Sequence, residues 1–186
     1  KCITTFNIAA KPIVSDMQVA VAAADSLVIS LSLSGDLNYL DPKSGKIVKV
    51  IQAHSKPAIS IQYDETTNQL FSSSKGGDVM AWDRQGLGRR ITGEQHSSQA
   101  ILTCSKGKLS STGWDDCVRH ADVSKEGALE YTKGKCSLGG QPVGICSTKD
   151  VVATVTASQV ALLKNNQIVA KMNLDKYEGT CLALSP

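Results

Sequence analysis

The stretch Asp-Val-Met-Ala-Trp-Asp at residues 78–83 has three counterparts elsewhere in the chain, and together they decide the fold. The four segments begin at Asp36, Asp78, Cys117 and Gln159, at intervals of 42, 39 and 42 residues. In each segment the second and fifth residues are apolar, and three of the four close on Asp. A period near 40 residues is typical of a repeat architecture in which each repeat is one small structural unit.

Three further series of short apolar segments keep the same period. They begin at Gln18, Ala58, Gln99 and Pro142 at the start of each repeat, at Leu27, Gln69, Lys108 and Val151 next, and at Lys46, Gly88, Ala128 and Gln167 at its end. Segments rich in Val, Ile, Leu, Ser and Thr between turn-forming residues predict strands, and helical periodicity is hard to find. Four strands per repeat predict the blades of an all-β propeller, because one four-stranded sheet cannot cover both of its faces and must stack on its neighbours.

Composition excludes several functional classes. With 41% hydrophobic and 20% charged residues, the chain is typical of a globular domain. The net charge of +3 is scattered and Arg89-Arg90 is its only dense basic pair, so we predict no nucleic-acid binding. Polar residues interrupt the apolar run at 151–163, so that no apolar stretch reaches the length of about 18 residues that a membrane helix needs. We therefore predict no membrane partner. Because the chain begins with Lys1 and shows no signal peptide, we expect it to be a piece of a longer polypeptide.

The cysteines predict neither a metal site nor a disulfide framework. They are Cys2, Cys104, Cys117, Cys136, Cys146 and Cys181. No Cys-x-x-Cys pair or histidine at metal-ligand spacing accompanies them, so we predict no metal and no cofactor. Their even number also permits disulfides, but a chain of this size does not need them and no secretory context is visible. We expect reduced thiols in a cytosolic protein.

Trp82-Asp83 closes a predicted third strand and follows His54, and this arrangement resembles the WD40 repeat. The resemblance implies a hydrogen-bonded group inside each blade, formed by a His, a second-strand Ser or Thr, a turn Asp and the Trp; we call this group the WD40 set. The matching residues are His54, Ser72 and Trp82 in the second repeat and His96, Ser111 and Asp115 in the third. Gly76 stands where the second repeat would have its turn Asp, and Ala121 replaces the Trp of the third. The first and fourth repeats have Leu40 and Leu163 at the Trp position and lack the His.

Residues 113–120, Gly-Trp-Asp-Asp-Cys-Val-Arg-His, gather groups that could form an active site. Strand alternation, however, places Cys117 and Arg119 on the face opposite to His120. The resemblance makes Asp115 a turn carboxylate that bonds back to His96. Since no nucleophile elbow, phosphate loop or paired metal motif is present, we predict no catalytic residue. A hydrolase that uses His120 or Cys117 is the alternative.

Several longer phrases resemble the actin-interacting protein 1 family, also known as WD-repeat protein 1. They lie at residues 30–41, 50–56, 115–119, 160–164 and 177–186. The resemblance implies part of the second of two seven-bladed propellers, over residues 1–186. The implied parts are an outer strand at 2–6, repeats at about 16–52, 56–93, 97–134 and 141–173, and the inner strand of a next blade at 179–184.

The same resemblance implies a function. Members of the family are cytoplasmic proteins of the actin cytoskeleton that bind actin filaments decorated with cofilin, the actin-depolymerising factor, and promote their disassembly. Candidate partner-contact residues lie in turns between strands: Lys43, Lys75, Asp78, Arg84 and Asp116. A generic WD40 interaction scaffold with non-actin partners is the alternative, because propellers host many unrelated partners. Four blades do not close a ring of seven, so we also expect self-association through the open faces of the first and last blades.

Overall fold

The computed structural model describes residues 2, 4–9, 11–123, 129–148 and 150–185, and within them the chain forms sixteen β-strands and one 3-10 turn, Val14–Asp16. The strands make four four-stranded sheets, each an antiparallel meander of consecutive strands. The prediction of an all-β fold built from four-stranded antiparallel blades is confirmed.

The strands of each sheet follow the four sequence series, except for the fourth strand of the third sheet. The first sheet contains β1 (Gln18–Ala24), β2 (Leu27–Ser32), β3 (Asp36–Asp41) and β4 (Lys46–Gln52). The second contains β5 (Ala58–Asp64), β6 (Gln69–Ser74), β7 (Val79–Trp82) and β8 (Gly88–Arg90). The third contains β9 (Ile101–Ser105), β10 (Lys108–Gly113), β11 (Cys117–Asp122) and β12 (Cys136–Ser137). The fourth contains β13 (Pro142–Ser147), β14 (Val152–Thr156), β15 (Gln159–Lys164) and β16 (Gln167–Asn173).

Apolar side chains pack between successive sheets, in three separate cores. The core between the first and second sheets includes Leu31, Leu37, Ile61 and Trp82. The core between the second and third sheets includes Phe71, Val79, Leu102 and Leu109. The core between the third and fourth sheets includes Val118, Leu138, Ile145 and Leu163. The first strand of each sheet contacts the first strand of the next. Sheets that stack face to face around their first strands are the arrangement of propeller blades.

The fourth strand of the third sheet departs from the prediction. The sequence places it from Ala128 to Thr132, whereas β12 is Cys136–Ser137; Ala128 itself lies outside the described residues. Residues 129–132 contact both sheets: hydrogen bonds link Thr92, after β8, to the backbone of Leu129 and Tyr131, while Tyr131 bridges Ala121 of β11 and Thr132 donates its N–H to the carbonyl of His120. Burial of the Leu129 and Tyr131 side chains in the core between the second and third sheets explains this path.

The structure also differs from the prediction at both ends of the chain. Among the described residues no strand precedes β1 or follows β16, although strands are predicted at 2–6 and 179–184; residue 3 of the first segment lies outside the described part. A strand forms only by pairing with a neighbouring strand. The later segment instead packs on the fourth sheet, where Gly179 donates its N–H to the carbonyl of Ala157.

The outer faces of the first and fourth sheets keep apolar side chains in contact with solvent. Val21 on β1 is 66% exposed, and Val169 on β16 is 61% exposed. Val19, Val48, Val50, Val143 and Met172 on the same two sheets are exposed as well. These faces lack the neighbouring sheet that covers each of the inner ones.

Candidate functional site

The WD40 set of the second sheet is built around a buried histidine. His54 Nε2 lies 2.7 Å from the hydroxyl oxygen of Ser72, and Trp82 donates its indole N–H to the same oxygen at 2.8 Å. All three residues are buried. Gly88, the cross-strand partner of Trp82, makes room for the indole, because a Cβ at this position would lie 2.4 Å from the ring.

Asp78 supplies the carboxylate of this set. Its Oδ2 lies 2.6 Å from His54 Nδ1, and the hydroxyl of Ser74 donates to its other oxygen. The carboxylate of the set therefore comes from Asp78, two residues after Gly76, where the turn Asp is predicted. Asp78 is also one of the predicted partner-contact residues, but its carboxylate is hydrogen-bonded to His54 inside the blade. The hydrogen bond from His54 holds the pKa of Asp78 at about 2. The sequence signal was present, since Asp78 immediately precedes the third strand.

The third sheet builds an equivalent set with a different fourth member. His96 lies 2.8 Å from Asp115 Oδ1 through Nδ1 and 2.8 Å from Ser111 Oγ through Nε2. The Ser111 hydroxyl is also hydrogen-bonded to the phenol oxygen of Tyr131, at 2.9 Å, and the Tyr131 ring meets His96 edge to face. Tyr131 thus fills the volume that Ala121, at the Trp position, leaves open. Tyr131 is not among the set residues predicted from the sequence. The available signal was Ala121, because a small residue at the Trp position leaves a volume that a larger neighbouring side chain must fill.

A buried guanidinium joins the WD40 set of the third sheet. Arg119 is 2% exposed and places Nη1 2.6 Å from Asp115 Oδ2 and Nη2 3.1 Å from Glu94 Oε1. Burial alone would raise the pKa of Asp115, but the hydrogen bonds and charges of His96 and Arg119 lower it. Burial holds the pKa of His96 below its ordinary value, so this imidazole is neutral at neutral pH. The β10–β11 turn folds back over the face of the sheet that carries Arg119. Asp115 in this turn therefore meets Arg119, although strand alternation places the immediate neighbours of Arg119 on the opposite face.

The remaining groups of residues 113–120 do not converge. His120 is hydrogen-bonded through Nδ1 to Ser110 at 2.8 Å, while Cys117 is buried and burial raises its thiol pKa. All six cysteines are free, and burial raises the pKa of Cys104 to about 12. Within the described ranges, no group of three or more His, Cys, Asp or Glu side chains is placed to hold a metal ion. No helix among the described residues has the length and apolarity that crossing a membrane requires.

The predicted contact residues lie on two opposite edges of the sheets. We call rim A the edge formed by the turns between second and third strands and by the links between sheets; it carries Lys75, Asp78 and Asp116. Rim B is formed by the other turns and carries Lys43 and Arg84. Because consecutive strands of each sheet are antiparallel, the two rims face away from each other. These five residues therefore do not form one site.

The two basic side chains on rim B, Lys43 and Arg84, differ in the contacts that they make. Lys43 is exposed in the turn between β3 and β4, where its backbone N–H bonds to Asp41. Arg84 is also exposed, but its Nη2 lies 2.8 Å from Asn68 Oδ1 in its own sheet and 3.4 Å from Asp25 Oδ2 in the first sheet. Of these two side chains, Arg84 is the one that contacts a neighbouring sheet, whereas Lys43 extends into solvent.

Rim A carries the feature that sequence analysis overlooked. Trp114 is 49% exposed in the β10–β11 turn, which also carries Asp115 of the WD40 set of the third sheet. Its backbone N–H donates to the carbonyl of Ser98 in the link between sheets. Gly77, with φ +81°, lets the preceding turn approach the same link, because a Cβ there would lie 2.3 Å from the His96 carbonyl oxygen. Rim A therefore presents an exposed tryptophan on a turn that a hydrogen bond holds against the adjacent link.

Relatives of known name cover most of the chain. Actin-interacting protein 1 of Caenorhabditis elegans is 25% identical over 92% of this chain and 29% of its own length. WD repeat-containing protein 1-B of Xenopus laevis is 27% identical over 98% of the chain and 30% of its own length, and WD repeat-containing protein 1 of Gallus gallus is 26% identical over 99% and 31%. The chain thus spans less than a third of the curated relatives it matches. No family model matches it. The suggested resemblance is confirmed at the level of a WD-repeat scaffold.

Solved structures share the fold. The computationally designed Ika4 protein superposes with a TM-score of 0.70 at 17% identity, over 88% of this chain and 98% of the designed one. U3-55K superposes with a TM-score of 0.71 at 16% identity, over 82% of this chain and 50% of that one. Identities this low bear on the fold alone.

Proposed function

We propose that this chain is an actin-filament-binding WD40 scaffold that cooperates with cofilin, the actin-depolymerising factor, to promote filament disassembly in the cytoplasm. One observation carries the proposal: a relative named actin-interacting protein 1 matches 92% of the chain, including all four sheets. The proposed role is one of binding and requires no catalytic residue, metal or cofactor.

Rim A is the surface that we assign to the partner. An exposed tryptophan is a common anchor of protein interfaces, because it buries a large area and loses little conformational entropy. Trp114 is such a residue, and its neighbour Asp115 ties the turn to the buried His96, which in turn is hydrogen-bonded to the buried Ser111. A surface held in one conformation before binding loses less entropy when it meets its partner.

Disassembly requires more than attachment to a filament. A ligand shifts an equilibrium only as far as it binds one state better than the other. Rim A must therefore prefer the filament that cofilin has decorated over the bare filament. This preference, rather than bond-breaking chemistry, is the proposed source of activity.

A filament disassembly assay tests the proposal. Fluorescent filaments are followed by microscopy with cofilin alone, with this chain alone and with both. We expect faster filament loss with both proteins than with cofilin alone, and no loss with the chain alone. Trp114→Ala on rim A should reduce the acceleration, whereas the matched change Lys43→Ala on rim B should retain it. A folded chain that never alters the cofilin rate would contradict the proposal and favour a WD40 scaffold with other partners.

A further inference from the structure

Rim B opens between the first and second sheets into a cavity of about 180 Å³. The turns β1–β2, β5–β6 and β7–β8 surround the cavity, and its apolar wall includes Leu27, Ile29 and Leu70. Sites for drug-sized molecules commonly have volumes of about 300–1,000 Å³. The cavity is smaller than these sites, so its size suits one side chain of a partner rather than a larger ligand.

One buried polar atom of this cavity lacks a hydrogen-bond partner. Tyr39 lines the cavity and is 7% exposed, and its hydroxyl oxygen is buried. Among the described residues no donor or acceptor meets this hydroxyl. Buried polar groups are nearly always hydrogen-bonded in folded proteins, and an unpaired one requires an explanation such as a ligand.

Asp83 places a carboxylate next to this hydroxyl in the cavity wall. Burial raises the pKa of Tyr39 and the charge of Asp83 raises it further, so the phenol keeps its proton at neutral pH. One carboxylate oxygen of Asp83 accepts the backbone N–H of Leu87 at 2.8 Å. The ion pairs of the described residues do not include Asp83. Its negative charge is therefore available to a ligand in the cavity.

The cations near the cavity are bound to other groups. Arg84 at the mouth lies 3.4 Å from Asp25. Lys49 lies 5.7 Å from the centre of the Tyr39 ring, but its ammonium donates to the carbonyl of Gln85 and it is not part of the wall. The wall carries two carboxylates and one guanidinium, so its net charge is −1. Such a wall attracts a cation and repels an anion.

An alkylammonium complements this combination of groups. Its N–H bonds can be donated to the hydroxyl oxygen of Tyr39 and to the carboxylate of Asp83, while its aliphatic stem packs on the apolar wall. A charge that leaves water needs an opposite charge and hydrogen bonds, and the cavity supplies both. An apolar side chain, by contrast, would leave the Tyr39 hydroxyl unpaired. We propose that this cavity binds the side-chain ammonium of a lysine in a partner protein, through the hydroxyl of Tyr39 and the carboxylate of Asp83.

Ring resonances of tyrosine provide a direct test. The probe is N-acetyl-lysine methylamide, titrated into the chain with ¹³C-labelled tyrosine and compared with the capped norleucine and the capped glutamine. We expect a saturable shift of the Tyr39 ring with the lysine probe alone, while Tyr131, buried between the second and third sheets, keeps its resonances. No shift at Tyr39, or an equal shift with norleucine or glutamine, would overturn the proposal.

Two aspartates at equivalent repeat positions give a matched pair of variants. Asp41 and Asp83 close the third-strand segments of the first and second repeats, and each carboxylate accepts a backbone N–H of the turn that follows. Of the two, Asp83 lines the cavity. Asp83→Asn keeps an acceptor for this N–H but removes the charge, and it should weaken binding of the lysine probe at least tenfold. Asp41→Asn should leave the affinity unchanged.

Removal of the phenol hydroxyl tests the second contact. Tyr39→Phe should weaken binding of the lysine probe about tenfold without lowering the free energy of unfolding, because the hydroxyl has no hydrogen-bond partner among the described residues. Native affinity in either Tyr39→Phe or Asp83→Asn would also overturn the proposal. The cavity lies on rim B and the surface assigned to actin on rim A, so neither result bears on the proposed function.

Discussion

The carboxylate of Asp78 lies 2.6 Å from the imidazole Nδ1 of His54, and the two residues are 24 positions apart in the chain. His54 enters the second sheet from a link between sheets, while Asp78 precedes its third strand. One hydrogen bond therefore joins the link to the turn and orders rim A at this blade. The relationship also makes stability depend on pH.

Asp78→Asn should destabilise the fold at neutral pH. The pKa of Asp78 falls from 3.8 to about 2 on folding. A depressed carboxyl pKa stabilises the fold above pH about 4, and this stabilisation disappears as the pH falls towards 2. The variant should lose about 2 kcal/mol of unfolding free energy at pH 7, and the difference should shrink steadily below pH 4. Denaturant unfolding between pH 7 and pH 2.5 measures this, with Asp116→Asn as the control that should leave the free energy unchanged. A constant difference at all pH values would contradict the assignment.

Two buried tyrosines provide a matched test of the WD40 set of the third sheet. The Tyr131 hydroxyl is hydrogen-bonded to Ser111, whereas the buried hydroxyl of Tyr39 has no hydrogen-bond partner among the described residues. Tyr131→Phe should therefore lower the free energy of unfolding by about 1 kcal/mol, and Tyr39→Phe should leave it unchanged or raise it. Thermal and denaturant unfolding give both values. Equal losses in the two variants would mean that the Ser111 contact does not stabilise the blade.

The two cations that bind Glu94 should differ sharply in importance. Arg119 is buried between Asp115 and Glu94, while Lys135 reaches Glu94 from solvent. Arg119→Met should cost about 3 kcal/mol because it leaves Asp115 without its buried counter-charge, and it should raise the pKa of Asp115. Lys135→Met should change the free energy of unfolding by less than about 0.5 kcal/mol. Denaturant unfolding compares the two variants, and similar costs would contradict the buried network.

Self-association should follow from the open faces of the first and fourth sheets. Val21 and Val169 lie on these faces without a covering sheet. We expect the sedimentation coefficient of the native chain to rise with its concentration. The double variant with Val21→Lys and Val169→Lys should suppress that rise. Leu87→Lys removes an equally exposed residue from a turn and serves as the control. A native chain that stays monomeric at high concentration would count against this prediction.

The sequence predicts the blades far better than the contacts inside them. A period near 40 residues is enough to locate Cys117–Asp122 and Gln159–Lys164 as third strands, because alternation and turn chemistry are local properties. Tyr131 was not predicted as a member of the set because its segment pairs both with Ala121 of its own sheet and with Thr92 after β8, and the repeat does not reveal this second contact. The contact between Asp115 and Arg119 depends on how the turn folds back, which alternation along one strand does not describe.

Co-sedimentation with actin filaments tests the central claim most directly, because it measures binding without requiring disassembly. The chain is spun with bare filaments and with cofilin-decorated filaments, under conditions in which the chain alone stays in the supernatant. We predict that decorated filaments carry more of the chain into the pellet than bare ones, and that Trp114→Ala lowers this fraction. A folded native chain that remains in the supernatant with both kinds of filament would contradict the account.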